Sequence, residues 1–101
     1  MSYINYFPSS YRDGREAFLS AAAKAKATVK TYPSGSTGPD NEPVYTDVAL
    51  IGNQDAPNLF LCNSATHGVE GFCGSGVFTG YLSSGLPAEI PDNVRLVLIH
   101  A

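Results

Sequence analysis

Two residues able to hold a metal stand three apart in the stretch "NSATHGVEGFCGSG" (Asn63–Gly76): His67 and Glu70. A neutral imidazole nitrogen and a carboxylate oxygen are both good zinc ligands. A catalytic zinc site commonly takes two His and one Glu and leaves a position for water. A spacing of three brings side chains toward one side of a helical turn. Gly68 and Gly71 next to the pair give the backbone freedom for unusual turns. An isolated H-x-x-E also arises by chance, and its plain structural alternative is a Glu capping a helix beside a hydrogen-bonded His. The surroundings favour the metal: an apolar run before, glycines around the pair, a helix after.

A third ligand is harder to find. The only other histidine, His100, ends the last apolar run. Adjacent strands lie ~4.8 Å apart, so His100 could approach His67 from a neighbouring strand, as a ligand or as a wall of the pocket. Cys62 and Cys73 extend the motif to C-x4-H-x2-E-x2-C, a spacing open to a mixed metal cluster. The opposing reading makes Cys62 a small buried apolar residue. Cys73 near a helix start, with His67 as base, is a separate nucleophilic hypothesis. Other glycine-rich motifs fail. A dinucleotide fingerprint would need Gly where Thr79 stands, a phosphate loop needs a Lys, and Ser75 lacks the flanking glycines of a nucleophile elbow.

Local patterns on either side set the secondary structure that carries these residues. Ser9 or Ser10 starts a helix through "YRDGREAFLSAAAKAKA", with Tyr11, Phe18, Leu19, Ala22 and Ala23 on its apolar face and lysines toward its end. "ATVKTY" and "VYTDVALIG" read as strands joined by a long connection, Tyr32–Pro43. After a turn at Asn53–Asn58, Leu59–Cys62 is wholly apolar and reads as a strand buried on both faces. A helix follows from about Phe72 to Leu82, with Gly76 and Gly80 facing the sheet. Val94–Ile99 is a further strand. Strand, helix, strand implies a crossover with parallel pairing and an α/β class with a mixed sheet. The His67–Glu70 turn then lies beyond the carboxyl end of a strand, where open α/β sheets gather ligands.

Composition sets the limits. With 101 residues the chain is at most one domain. A net charge of −3 argues against nucleic acid, which demands a basic surface. No apolar run is long enough for a membrane span, and the first residues lack a signal-peptide layout. The expectation is a cytoplasmic protein with reduced cysteines.

The block Ser64–Gly76, preceded by "YPSGSTGPDNEPVYTDVALIG", resembles the N-terminal part of a bacterial family of unknown function grouped with zinc carboxypeptidases of the carboxypeptidase A type. Its Thr-His-Gly-x-Glu core also resembles the aspartoacylase and succinylglutamate desuccinylase branch. The resemblance implies the N-terminal portion of a three-layer α/β/α zinc hydrolase. It makes His67 and Glu70 the first two zinc ligands. It places the third ligand, a general-base Glu and the substrate-binding residues further along such a chain, so no catalytic residue is expected within 1–101. The implied function is zinc-dependent hydrolysis of a peptide or amide bond. The alternatives are a deacylase of small N-acyl amino acids and a non-catalytic module that keeps the motif. A single partial domain is expected, with Val94–Ile99 as an exposed edge, silent alone and prone to self-association or to pairing with a complementary segment.

Overall fold

The structure is a computed structural model that describes residues 3–101. After a 3-10 turn at Tyr3–Tyr6, helix α1 spans Tyr11–Lys24. Its first turn is closed as the sequence suggests, because the Ser10 hydroxyl accepts from the Asp13 amide at 3.1 Å. Its end is a Schellman turn. The Ala27 amide reaches the Ala22 carbonyl, the Lys26 amide reaches that of Ala23, and Lys26 takes a left-handed φ of 62°. Phe18, Ala21 and Ala22 are buried. Ala23, expected on that face, is exposed and Ala21 takes its place.

Strands β1 (Thr28–Thr37) and β2 (Pro43–Gly52) form an antiparallel hairpin with an irregularity between Pro33 and Thr37. The first half of the expected long connection is therefore strand, and the turn shrinks to residues 38–42. Pro and Gly signalled a loop here, but an exposed edge strand tolerates both. Strand β3 (Asn58–Asn63) leads into helix α2 (Gly71–Ser83), a 3-10 turn at Leu86–Glu89 and strand β4 (Val94–His100). The sheet order is β1-β2-β4-β3, with β3 parallel to β4 and β2 antiparallel to it. The α/β class and mixed sheet of the sequence reading hold.

Both helices pack on one face of the sheet. Phe18 and Ala22 of α1 meet Phe78 and Leu82 of α2 over Ala49, Ile51, Leu96 and Leu98. Truncating a side chain as enclosed as Phe18 costs ~3–5 kcal/mol. Gly76 and Gly80 face neither sheet nor solvent. They leave room for the rings of Phe7 and Tyr6 from the N-terminal turn.

Two strand assignments need correction. Interior position belongs to β4, between β2 and β3, and β3 is the edge opposite β1. The apolar run Leu59–Cys62 is accordingly bare, with Leu59, Phe60 and Leu61 exposed by 67, 61 and 57%. Phe60 and Cys62 border an apolar groove of about 370 Å³ against Val77 and Tyr81 of α2. The described residues make two layers, and no element among them covers the outer face of the sheet.

Candidate functional site

The loop from Ser64 to Glu70 leaves the carboxyl end of β3 and feeds α2. The Ser64 amide continues the sheet by bonding the Ile99 carbonyl at 3.0 Å. Ala65 then turns left-handed at φ 57°, and Gly68 takes φ 157°. The loop and the helix lie nearly in contact: a Cβ on Gly71 would run into Ala65, and one on Gly74 would sit 2.6 Å from the Ser64 Cβ. Gly71 therefore serves close packing rather than an unusual turn. Asn63 Nδ2 donates to Thr66 Oγ1 at 2.8 Å and braces the other side.

This turn brings His67 and Glu70 together. The Glu70 carboxylate accepts from the His67 amide at 2.8 Å, which fixes its position. The same Oε1 stands 3.3 Å from His67 Nδ1, with the side chains 86% and 53% exposed. That gap exceeds the usual N–H···O range of ~2.7–3.2 Å. Two donors each ~2.1 Å from a tetrahedral ion stand roughly 3.4 Å apart. The pair thus fits two corners of a zinc site and opens onto a depression of about 370 Å³ lined also by Asn63, Thr66 and Cys73. No group of three His, Cys, Asp or Glu able to hold a metal exists among the described residues. The mixed cysteine cluster is therefore not formed. Cys62 is half-buried and packs against the core, while Cys73 is exposed.

His100 does not approach the pair. It points to the helix face, is 1% exposed, and lies 2.7 Å through Nε2 from the Ser75 hydroxyl. Its ring stacks on Phe18 with centroids 4.4 Å apart. Burial pushes its pKa below the usual imidazole value. The Asp47 carboxylate opposes that shift and the Arg15 charge adds to it.

A second polar cluster escaped the sequence reading. Asp47 on β2 is fully buried and gripped by Arg15 of α1 through Nε at 2.7 Å and Nη2 at 3.1 Å. Thr31 donates to it at 2.6 Å. The Arg15 guanidinium also lies 4.2 Å above the Tyr45 ring, and the carboxylate bond raises its pKa. Tyr11 bonds the Tyr45 backbone on both sides, donating to its carbonyl and accepting from its amide. The available signal was an acid alone inside an apolar strand, "VYTDVALIG". This cluster ties α1 to the sheet.

A mixed sheet carrying two helices on one face is an α/β fold. Three solved structures share it. The Fimbriiglobus ruber glutaminyl cyclase has a TM-score of 0.63 and 9% identity, covering 92% of this chain and 37% of that one. The Porphyromonas gingivalis glutaminyl cyclase has 0.62 and 14%, covering 96% and 40%. The Tannerella forsythia glutaminyl cyclase has 0.59 and 12%, covering 93% and 40%. The chain thus spans about two fifths of their length, and the likeness is one of fold. No curated protein matches the sequence. The family is settled by sequence: the chain belongs to the family described as protein of unknown function DUF2817, whose model matches residues 7–101.

Proposed function

We propose that this chain supplies the first two ligands, His67 and Glu70, of a zinc-dependent hydrolase acting on a peptide or amide bond. The observation that carries the reading is the 3.3 Å separation of two exposed donors at the carboxyl end of a parallel strand. The resemblance of "THGVEG" to zinc carboxypeptidases supports it, and so does a fold shared with enzymes.

The chemistry zinc supplies when bound is polarisation of a carbonyl and activation of water. The chain's own residues orient that chemistry. The His67 amide holds the Glu70 carboxylate in place, Asn63 and Thr66 brace the loop, and α2 fixes its far end. The open depression beside the pair admits an extended peptide or an N-acyl amino acid. The third ligand and the general base come from elsewhere in the domain of which residues 1–101 form one part.

The test is metal analysis and Co²⁺ absorption of the longest native polypeptide containing residues 1–101. About one ion per chain is expected. His67→Ala and Glu70→Ala should each weaken binding by more than the ~10–100-fold typical of losing a residue that merely supports a ligand. His100→Gln should leave the stoichiometry unchanged. Full metal content in both ligand variants would sink the assignment.

A further inference from the structure

Three elements converge on one buried polar contact that the proposed metal turn does not use. Ser75, 4% exposed, sits one helical turn after Gly71 in α2, and its hydroxyl meets Nε2 of His100 at the end of β4. From α1, Gly14 presses against the same spot, where an added Cβ would come within 3.0 Å of the Ser75 hydroxyl. The other ring nitrogen, Nδ1, is buried without a hydrogen-bond partner among the described residues. His100 lines a cavity of about 20 Å³ whose walls include Tyr11, Gly71 and Phe72.

Such an arrangement resembles a serine–histidine catalytic dyad in its distance. The enclosure excludes that use, since the cavity holds no more than about one water. We propose instead that Ser75 and His100 form a protonation-sensitive latch, which fixes the start of α2, and with it the turn bearing His67 and Glu70, to the end of β4.

A neutral imidazole has one donor and one acceptor nitrogen, and Ser75 can serve either at Nε2. An imidazolium has two donors, and the second would emerge at Nδ1 with no acceptor. The charged and titratable groups facing the ring are few. Asp47 comes from β2 and is the cross-strand partner of His100. Arg15 and Tyr11 come from α1, and α2 offers only the Ser75 hydroxyl and no charged side chain. The Asp47 carboxylate would attract a proton on the ring, but both its oxygens are engaged by Arg15 and Thr31.

A protonated ring therefore gains by reaching water, and the first turn of α2 forms one wall of its cavity. Burial lowers the folded-state pKa of His100. The latch contributes fully above the ordinary imidazole value of about 6.5 and weakens as pH falls from there toward the lowered folded value. A local opening of this kind releases the His67–Glu70 turn without unfolding the sheet. The latch operates whether or not a metal binds.

Hydrogen exchange read by mass spectrometry on the longest native polypeptide containing residues 1–101, corrected for intrinsic exchange, tests the latch from neutral pH down to ~5. Peptides over Val69–Gly74 should lose protection with acid, about tenfold for each unit by which folding lowers the His100 pKa. Peptides over Val48–Ile51 should hold theirs. His100→Gln keeps a partner for Ser75 but cannot titrate, and should abolish the acid response while preserving protection at neutral pH. Ser75→Ala should lower protection at Val69–Gly74 already at neutral pH. An equal acid response in the wild type and His100→Gln would overturn the latch, as would parallel loss in β2. Should the variants not fold, the wild-type His100 ring resonance decides. A ring titrating at the ordinary value, with protection at Val69–Gly74 unchanged, refutes the proposal.

Discussion

Arg15→Ala should be among the most damaging single substitutions in α1. It would leave the Asp47 carboxylate, fully buried, with Thr31 as its one remaining side-chain donor. Breaking a buried ion pair from one side costs ~3–5 kcal/mol, because an unpaired charge stays behind. Arg15 is itself 24% exposed, so water can partly reach the vacated space and the lower end of that range applies. Loss of the stacking on Tyr45 adds ~0.5–1 kcal/mol. A total of ~3.5–4 kcal/mol corresponds to a fall in Tm of roughly 14–32 °C for a domain of this size. Replacing both partners, Arg15→Met with Asp47→Leu, should recover most of the loss, since apolar isosteres often match a buried pair. A urea double-mutant cycle measures this directly. A loss below ~1 kcal/mol for Arg15→Ala, the range of exposed pairs, would refute the view that this cluster ties α1 to the sheet.

The same substitution should raise the His100 pKa, because the Arg15 charge that opposes protonation goes while the Asp47 carboxylate stays; an NMR titration showing a further decrease would contradict the electrostatic assignment. On the proposed zinc-hydrolase reading, Cys73→Ser in the longest native polypeptide should leave amide hydrolysis largely intact whereas Glu70→Ala abolishes it, since metal-activated water needs no thiolate; loss of turnover in Cys73→Ser with zinc retained would favour the cysteine mechanism. Residues 1–101 alone should hydrolyse no amide with zinc added and should associate with rising concentration through β3, whose edge carries no charge to block pairing. Leu61→Lys should shift that equilibrium toward monomer in sedimentation velocity, and a wild type already monodisperse at all concentrations would exclude the edge as the cause.

Local signals in the sequence were reliable where one element decides its own form. Ser10 closes α1 as its spacing with Asp13 suggests, and α2 begins within a residue of its expected start. Tertiary partners decided the rest. The apolar run Leu59–Cys62 carries the composition of an interior strand, yet strand order puts β4 inside and β3 at the edge. Composition records what a strand is suited to touch, and β3 is suited to more covering than the described residues provide. The glycines misled for a similar reason. Gly76 and Gly80 read as facing the sheet, but they are the surface against which Phe7 and Tyr6 close.

The site divides along the same line. The proximity of His67 and Glu70 was legible because both lie in one turn, so sequence spacing becomes spatial separation with little help from the fold. Asp47 with Arg15, and Ser75 with His100, bridge 32 and 25 residues, and no spacing rule reaches that far. What the sequence does show is the anomaly that each pair resolves: an acid inside an apolar strand, and a histidine ending another. A buried polar group without a partner costs more than most single contacts return, so each anomaly implies an unseen partner. Register supplies the link between them, since Asp47 and His100 are cross-strand neighbours in the β2–β4 ladder. Both anomalies therefore mark one place, the junction where α1 and α2 meet the sheet.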